Sequence, residues 1–586
     1  MKLPLAGCAY LLAASVAQAG VIKTLGSAGC EAATVGSVDK EYRSYNGTCN
    51  NEENPTWGSS GVMVGEGVQL QRWDDTAYYR DTSTLPSARA ISNAASMQPN
   101  SVSVPNSKGV SAMLMQWGQF LDHDLDLTRA GDEPWNIAVA NDDPEFGSLY
   151  GDSGTMPGGM PFHRSVWVPG TTNPREQLNV STAFIDASQI YGSDEATAMS
   201  LRDPTGGGRL NMLNGLLPKD SSEKFFSGDE RVREQVGLTS MHTLFSREHN
   251  RIADELAQQY RDERATPGQP VDEADLDETV YQETRKLVGA MMQSITFNEF
   301  LPALLGSSAP GAYDPDSDIY DPDINPGIYT EFSTAAYRFG HSTLAPTLLR
   351  LDEDFLPLPG GPLPLEQAFF NAENLIDPAS AIGGVGIEPF LRGLVTQQAQ
   401  AVDTLIVDAL RNMLFPTMGG FDLAALNMQR GRDHGLPTYN QMRGILGLDT
   451  YERGWDDPDL TFSDDIIGAL TGVYGVDGFD DLDLWIGGLA EAHQGDSLLG
   501  ELFTKIVAGQ FDLLRKGDRF WFERAGMFED EWMMFIERST LSAIMARNGI
   551  SGLQANVFFV PVPATFLLIA MGVLLMRGRA HPRLTG

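Results

Sequence analysis

The stretch MQWGQFLDHDLD, residues 115–126, places a histidine between two carboxylates inside an otherwise apolar run. The run suits a helix, in which Gln119 and His123 share one face because they are four residues apart, with Asp122 beside them. Asp124 points to a different side. One helical turn can therefore serve two sites, a polar pocket built on Gln119, Asp122 and His123 and a cation site built on Asp124. The alternative is an exposed acidic helix end with an incidental histidine.

The composition limits the kinds of partner that this protein can have. The chain has 586 residues, of which 42% are hydrophobic, so it can bury a sizeable core. Its 41 Lys and Arg against 78 Asp and Glu give a net charge of −37. Such a surface repels nucleic acid and anionic lipid, and we expect neither as a partner. It suits an exported protein that must stay soluble, and some of the carboxylates could bind Ca²⁺.

Both ends of the chain have the pattern of processing signals. Residues 1–19 combine a basic Lys2, an apolar run and the small-residue site Ala17-Gln18-Ala19, which is typical of a cleaved secretory signal peptide. The alternative is a buried N-terminal helix. Residues 558–586 contain Pro561 and Pro563, a short apolar run and a basic end. This segment resembles the PEP-CTERM sorting tail of Gram-negative bacteria, although Val562 stands where that family usually has Glu.

That tail has a competing interpretation as a single C-terminal membrane anchor, although its apolar run is short for a membrane span. Either way, we expect a protein exported by a Gram-negative bacterium, either secreted or on the cell surface. Association with an exopolysaccharide matrix or with the outer surface is a further expectation. Of the three cysteines, Cys8 would leave with the signal peptide. In an exported chain, Cys30 and Cys49 are then most simply a disulfide that closes a short N-terminal loop.

The body of the chain, residues 20–555, is predicted to be one large, mainly helical domain with long loops and little β-structure. Helical periodicity is clearest in four stretches, residues 238–260, 279–301, 497–514 and 530–547. Long irregular connections lie between them, notably residues 306–327 and 356–365. Long ordered loops in a helical enzyme often line sites.

One further segment could complete the cation site that Asp124 begins. Residues 182–188, TAFIDAS, offer hydroxyl, carbonyl and carboxylate oxygens within seven residues. Ca²⁺ prefers such an all-oxygen set, best completed by a second carboxylate from elsewhere in the chain. The alternative for this segment is an ordinary turn stabilised by Asp and Ser side chains.

Three other segments carry groups that could line a pocket. Arg231 and Glu234 precede a predicted helix that Thr239 or Ser240 could cap, and the two histidines of that helix, seven residues apart, are interpreted as structural. In the segment YRFGHS, residues 337–342, a glycine lets something flat approach His341. The segment LNMQRGRDHGLP, residues 426–437, is rich in Arg and amide groups. A planar, anionic ligand would suit the last two segments, and haem with its propionates is one.

Taken together, these segments resemble, in order and spacing, the animal-type haem peroxidases of the peroxidase–cyclooxygenase superfamily. The match extends to residues 42–51 near the N-terminus, to 484–489 and 517–522, and to 538–541 and 547–548. It covers nearly all of the mature chain. The resemblance implies an enzyme that uses H₂O₂ to oxidise small donors through a high-valent iron-oxo intermediate, with a haem b derivative as cofactor.

The resemblance also implies roles for individual residues. His123 would be the distal histidine, which moves a proton between the two oxygens of H₂O₂. Gln119 would orient water and halide, and Arg231 would stabilise the departing oxygen. His341 would be the proximal iron ligand, and Asn427 would accept the hydrogen from its other ring nitrogen.

Further roles follow from the same resemblance. Two arginines would hold the haem propionates, Arg338 and Arg430. Asp122 and Glu234 match the carboxylates that form esters with the haem. Gln235 stands where one mammalian member has a methionine bonded to the haem, which favours bromide, iodide, thiocyanate or organic donors over chloride. The Ca²⁺ loop would consist of Asp124, Thr182, Phe184 (through its carbonyl), Asp186 and Ser188.

Two rival functions are kept. A fatty-acid dioxygenase of the cyclooxygenase type carries a radical tyrosine three residues before the proximal histidine. Here that position is Arg338, and Tyr337 is one residue away. The other rival is a matrix or adhesion protein that keeps the fold without turnover. Its signature would be the loss of a distal residue, and none is lost.

Overall fold

The computed structural model describes residues 42–561, except residues 62–64, 75–81, 173, 265–270, 313–318 and 416–418. Within these residues the chain is mainly helical, as predicted. The α-helices are α1 (Ala88–Ala95), α2 (Met113–Leu125), α3 (Gly147–Tyr150), α4 (Ser188–Tyr191), α5 (Glu195–Leu201), α6 (Val236–Arg264), α7 (Glu273–Ile295), α8 (Leu301–Leu305), α9 (Thr330–Thr334), α10 (Ala372–Ile376), α11 (Glu388–Thr396), α12 (Asp408–Arg411), α13 (Leu423–Asp433), α14 (Tyr439–Ile445), α15 (Asp464–Tyr474), α16 (Leu484–Ala490), α17 (Glu501–Lys516), α18 (Asp530–Arg538) and α19 (Leu541–Arg547).

Strands are short and form only two-stranded sheets among the described residues. Three pairs are antiparallel and one is parallel. The antiparallel pairs are β1 (Val68–Gln69) with β5 (Leu178–Asn179), β3 (Ala130–Pro134) with β4 (His163–Ser165), and β6 (Thr347–Leu348) with β7 (Leu363–Pro364). The parallel pair is β2 (Met97–Gln98) with β8 (Ile406–Val407).

Helix α2 runs through the core and is covered on nearly all sides. It packs against α4, α6, α11 and a 3₁₀ segment, Ala336–Thr343. Leu114, Trp117 and Leu121 follow helical spacing and are fully buried. Each such side chain contributes roughly 1.5–3 kcal/mol when it leaves water. The Trp117 ring centre lies 5.7 Å from that of Phe245 on α6, so the two helices are locked together.

The start of α2 is fixed by the C-terminal end of the described chain. The backbone N–H of Ser111 donates to the carbonyl of Phe558 at 2.8 Å, and the Ser111 hydroxyl donates to the carbonyl of Val557 at 2.6 Å. The ring of Phe558 stands edge-on to Trp117, with centroids 6.3 Å apart. Residues distant in sequence therefore anchor the helix that carries the opening motif.

The longest helices, α6 and α7, pack along each other, and two of the four predicted helical stretches fall within or across them. The predicted cap of α6 is wrong. The helix already begins at Val236, so Thr239 and Ser240 lie inside it. Their hydroxyls donate to the carbonyls of Val232 and Val236, at 2.8 and 2.7 Å. His249 of α6 is held between the Tyr191 hydroxyl and a backbone carbonyl, which matches its structural interpretation.

The predicted helix over residues 530–547 is two helices, α18 and α19. The break falls at Ser539 and Thr540. The Thr540 side chain accepts a hydrogen bond from the backbone N–H of Ala543, which makes Thr540 the N-cap of α19. The helical pattern continues across this break, and only the capping residue marks it.

Several predictions concern residues that the structure does not describe. These are the signal peptide at residues 1–19, Cys30 of the predicted disulfide, and residues 562–586 of the predicted tail. Over residues 42–561, apart from the gaps given above, no helix has the combination of length and apolarity needed to span a bilayer.

Candidate active site

Helix α2 leaves very little of its surface accessible, and what remains is polar. Every residue of the helix is buried except Gln119 and Asp122, which are three apart and share a face with His123. The Asp122 side chain keeps 30% of its surface accessible. Because other elements cover the helix, these two side chains line a space inside the protein. The predicted grouping of Gln119, Asp122 and His123 is therefore present.

The start of α6 brings two charged side chains to the same space. Arg231 keeps 22% of its side-chain surface accessible and Glu234 keeps 34%. Arg231 Nη1 lies 3.8 Å from Asp122 Oδ2, and Glu234 Oε2 lies 3.9 Å from His123 Nε2. Burial raises the pKa of Glu234, and the nearby Arg231 opposes that shift. The two segments that the sequence analysis associated are thus in contact.

Asp229, which the sequence analysis missed, holds Arg231 in place. Its carboxylate accepts hydrogen bonds from the Arg231 backbone N–H at 2.8 Å and from Nε and Nη2 at 2.9 Å each. Burial alone would raise the pKa of Asp229, but the charge and hydrogen bonds of Arg231, together with His123, lower it to about 2. Asp229 is therefore ionised and fixes the guanidinium. The available signal was an acid two residues before Arg231.

His123 is a buried imidazole with no short contact. Its Nδ1 lies 3.7 Å from Asp229 Oδ1 and has no hydrogen-bond partner among the described residues. Burial and the nearby charge of Arg231 hold the pKa of His123 well below its usual value. The ring is therefore neutral and can accept a proton. Burial and the charge of Asp126 raise the pKa of its neighbour Asp122.

His341 lies in the 3₁₀ segment that packs against α2. Burial and the charge of Arg338 lower the pKa of His341 to about 3, so this ring is neutral as well. A side chain added at Gly340 would meet only Met115, at 3.7 Å, so there is space beside His341 on the side of α2. The two histidines thus lie on adjoining segments.

Asn427 of α13 contacts His341, but in the opposite sense to the one that the resemblance implies. Asn427 Nδ2 lies 2.8 Å from His341 Nδ1, while Arg338 Nη1 donates to Asn427 Oδ1 at 3.2 Å. In this arrangement the amide donates to the ring instead of accepting from it. Arg338 sets the direction because a guanidinium can only donate and therefore takes the amide oxygen.

Arg430 is engaged by the protein itself. Its Nη1 donates to three oxygens, those of the His163 carbonyl, the Ser165 hydroxyl and the Asp433 carboxylate. Its guanidinium lies over the Phe162 ring, 4.2 Å from the centroid. The predicted contact between Arg430 and a propionate stays a prediction.

On the other side of α2, the structure brings Asp124 to the loop at residues 182–188. Asp124 Oδ1 accepts from the Ser188 backbone N–H at 2.6 Å and from its hydroxyl at 2.7 Å. Oδ2 accepts from the backbone N–H groups of Asp186 and Ala187, at 3.1 Å each. Thr182 Oγ1 donates to Asp186 Oδ1 at 3.1 Å. The structure therefore brings Asp124, Thr182, Asp186 and Ser188 together, and their role as a Ca²⁺ site stays a prediction.

Aromatic side chains that the sequence analysis did not single out stand beside Glu234. Gln235 forms an antiparallel bridge with Phe369, and the Phe370 N–H donates to the Glu234 carbonyl at 3.1 Å. Phe370 is 51% exposed, and its ring centre lies 5.1 Å from that of Phe415. Phe370 and Phe415 have φ values of 50° and 54°, a region that costs a non-glycine residue about 1 kcal/mol or more. A backbone contact therefore joins the segment of this aromatic pair to Glu234.

Known proteins resemble this chain over most of its length. A peroxidasin homologue of Caenorhabditis elegans, pxn-2, is 36% identical over 587 residues, covering 88% of this chain and 42% of that protein. The thyroid peroxidase of Sus scrofa is 32% identical over 579 residues, covering 88% of this chain and 60% of that protein. The chain thus spans about half the length of these relatives.

Solved structures show the same fold. Peroxidase A from Dictyostelium discoideum matches with a TM-score of 0.73 and 30% identity, over 89% of this chain and all of that one. A fatty acid alpha-dioxygenase of Oryza sativa with palmitic acid matches with a TM-score of 0.72 but 19% identity, over 91% of each chain, which shows the fold alone. The family model described as animal haem peroxidase matches residues 42–558. The chain therefore belongs to the animal haem peroxidase family.

Proposed function

We propose that this protein is a peroxidase that binds haem through His341 and uses hydrogen peroxide to oxidise small donors. One observation carries the proposal. Two neutral histidines, the buried His123 and the half-buried His341, lie on segments that pack against each other, and the accessible polar face of α2 lies beside His123. Membership of a haem-dependent oxidoreductase family supports the cofactor.

The residues around His341 fit a haem group. A neutral imidazole is the form that binds iron. Iron at Nε2 requires the ring hydrogen on Nδ1, so the Asn427 amide would turn by half a rotation and accept it. That turn would release Arg338 from Asn427 Oδ1 and leave its guanidinium for an anionic group such as a propionate. When bound, the iron supplies electrons that break the O–O bond and recovers them from the donor.

The chain's own residues would move the proton and stabilise charge. His123 would take the proton from one oxygen of the peroxide and return it to the departing oxygen, since its neutral ring is a proton acceptor without a competing hydrogen bond. Arg231, held by Asp229, would stabilise the negative charge on the departing oxygen. Gln119 would orient the peroxide and small anions.

For the donor, we propose bromide, iodide, thiocyanate or a phenolic compound. The positive charge of Arg231 in the pocket supports small anions. The exposed ring of Phe370 beside Glu234 supports aromatic donors, which bind by ring contacts. Both kinds of donor would use one site, because the backbone of Phe370 is hydrogen-bonded to Glu234, which lines the pocket.

We also propose ester links from Asp122 and Glu234 to the haem. Both carboxyls are on the accessible surface of the pocket, one from α2 and one from the start of α6. Each ester would remove a negative charge from a poorly solvated place. Mass spectrometry of the haem peptide after proteolysis tests both links at once, and free haem extracted by acidic solvent would contradict them.

We propose Ca²⁺ as the ion of the loop at residues 182–188. Asp124 and Asp186 are buried together, and burial and the charge of Asp186 raise the pKa of Asp124. Asp186 Oδ2 has no partner among the described residues, which leaves an oxygen for a cation. Among the described residues, no group of three or more His, Cys, Asp or Glu side chains is placed to hold a metal ion. The Ca²⁺ ion would therefore rely on hydroxyl and carbonyl oxygens as well as on the two carboxylates.

Export completes the proposal. A signal peptide at residues 1–19, a peroxidase domain at residues 20–555 and a PEP-CTERM-like sorting or anchor segment at residues 558–586 fit a secreted or cell-surface protein of a Gram-negative bacterium. A Cys30–Cys49 disulfide and association with a matrix belong to the same proposal. Mass measurement of the mature protein tests the cleavage at both ends.

The central experiment measures haem binding and turnover in the purified protein. We expect a Soret band and H₂O₂-dependent oxidation of bromide or guaiacol. A colourless protein would support the rival matrix or adhesion role and would contradict our proposal. Oxygen uptake with a fatty acid and no peroxide would instead support the dioxygenase. Tyr337 gives that rival little support, since its buried hydroxyl has no partner among the described residues to take its proton.

A further inference from the structure

Three glutamine side chains meet where α2 faces the start of α6. Gln235 Nε2 lies 2.5 Å from Gln116 Oε1 and 3.0 Å from Gln119 Oε1. Gln116 Nε2 makes a longer contact, 3.4 Å, with Gln119 Oε1. Gln116 and Gln235 are buried, whereas Gln119 is partly accessible. The cluster therefore joins two buried amides to one that reaches the pocket.

A backbone group fixes the direction of the Gln235 amide. Gln235 Oε1 accepts a hydrogen bond from the backbone N–H of Gly237 at 2.7 Å. A backbone N–H can only donate, so the amide oxygen faces Gly237 and the NH₂ group faces the other two glutamines. Gly237 permits this approach, because a Cβ at that position would collide with Gln116 Oε1. The N–H lies in the first turn of α6, where the helix dipole strengthens it.

The direction of Gln235 in turn decides which end of Gln119 faces the pocket. Gln119 Oε1 receives the Gln235 donor, and in the described part of the chain Gln119 Nε2 has no hydrogen bond to another residue. Turning the Gln119 amide over would set its NH₂ group against the NH₂ group of Gln235, two donors facing each other. Gln119 therefore keeps its NH₂ group for the accessible space.

We propose that Gln235 is a positioning residue that acts through Gln119. It makes this wall of the pocket a hydrogen-bond donor toward a small anion or a peroxide oxygen. This inference rests on the proposed peroxidase function. It deepens that function by assigning the direction of the hydrogen bonds, from the Gly237 N–H to Gln235 and from the Gln235 NH₂ group to Gln119. No titrating group takes part, so the effect does not depend on a change of charge.

The test is binding of thiocyanate to the ferric holoprotein, followed by the Soret band at one fixed pH without peroxide. Gln235→Leu keeps a side chain of similar size and removes its donors. We expect it to weaken thiocyanate binding about tenfold, which corresponds to ~1.4 kcal/mol. Gln235→Glu keeps the acceptor for Gly237 but draws the Gln119 NH₂ group away from the pocket, and we expect a larger loss.

A double-mutant cycle separates positioning from packing. In a Gln119→Met background, Gln235→Leu is expected to change the thiocyanate Kd less than about twofold, because the residue through which it acts is gone. Gln400→Met is the matched control. Gln400 is also buried, and its Oε1 accepts from the Val104 N–H at 2.7 Å and from Gln98. This control should lower Tm without changing the Kd.

Two results would overturn the inference. One is a Gln235→Leu holoprotein that binds thiocyanate as tightly as the wild type. The other is an equal loss on substituting Gln235 in the presence and absence of Gln119. If Gln235→Leu does not fold, Gln235→Glu takes its place in the same cycle. A wild-type protein without a Soret band would contradict the proposed function, and that failure is distinct from the two above.

Discussion

The two sides of α2 carry similar groups and use them differently. On one side, Asp124 is fully buried and accepts four hydrogen bonds from the loop at residues 182–188. On the other side, the His123 ring nitrogens stand 3.7 and 3.9 Å from the nearest carboxylates, those of Asp229 and Glu234. A group held by several hydrogen bonds keeps the structure in place. A group without short contacts is free to exchange a proton with a ligand.

The largest effect is expected from a substitution of His123, on the side of α2 that faces the pocket. His123→Ala should slow the reaction with H₂O₂ by roughly 10²–10⁴-fold, because the proton acceptor is lost. Haem content should stay unchanged, since His123 is not the proposed iron ligand. Stopped-flow spectroscopy of the Soret band measures the rate. His249→Ala is the matched control, a buried and neutral histidine that should affect stability and leave the rate alone. An unchanged rate in His123→Ala would contradict the assignment of His123 as the proton acceptor.

The next largest effect is expected from a substitution of Asp124, on the side of α2 that faces the loop at residues 182–188. Asp124→Ala leaves the donors of residues 186–188 without their acceptor, which should destabilise the protein by about 3 kcal/mol. Calcium content should fall, and a chelator should lower the Tm of the wild type but no longer that of Asp124→Ala. Differential scanning calorimetry with and without chelator measures both. A wild-type Tm that is the same with and without chelator would contradict the proposed calcium ion.

Asp229 links stability to pH on the reactive side. Its pKa is lowered to about 2 in the folded protein, so its stabilising effect is present above its unfolded pKa, near 3.9, and is lost as pH falls through about 2. We expect the free energy of unfolding of the wild type to exceed that of Asp229→Asn by about 2 kcal/mol at pH 6. This difference should decrease toward zero as the pH falls to about 2.

The matched control for this prediction is Asp143→Asn. The pKa of Asp143 is also about 2, because burial is outweighed by hydrogen bonds from Arg89 and other donors. Both variants should show the same pH dependence of Tm. Only Asp229→Asn should slow the reaction with peroxide, by about tenfold, since it alone frees Arg231. Equal rates in the two variants would show that Asp229 acts on stability alone.

The smallest effect is expected from a substitution of Phe370, which tests whether an aromatic donor contacts this ring. Phe370→Ala should raise the KM for guaiacol about threefold, since one ring contact contributes roughly 0.5–1.5 kcal/mol. Oxidation of bromide should not change, because an anion gains nothing from the ring. Steady-state kinetics with both donors measures the difference. A loss that is equal for guaiacol and bromide would point to a general disturbance instead.

The sequence was enough to place the main catalytic candidates. The helical class, the face shared by Gln119 and His123, and the approach of Asp124 to residues 182–188 are all found in the structure. These features follow from local spacing or from motifs whose order resembles a family. The roles of haem, calcium and the ester links stay predictions.

Other features could not be predicted because they depend on contacts between distant segments. Asp229 was missed because it serves Arg231 in a turn, where no helical period relates them. Gln116 was missed because its partner arrives with α6. The direction of the Asn427 amide depends on Arg338, a competitor for the same oxygen. Each case is a choice among hydrogen-bond partners that tertiary structure decides.

The contact between Ser111 and residues 557–558 has a consequence for how the protein is made. A ribosome releases the chain from its N-terminus, so α2 emerges long before the residues that anchor its first turn. The helix that carries His123 gains these contacts only after residues 557 and 558 have been synthesised. We expect cofactor capture to follow the synthesis of those residues.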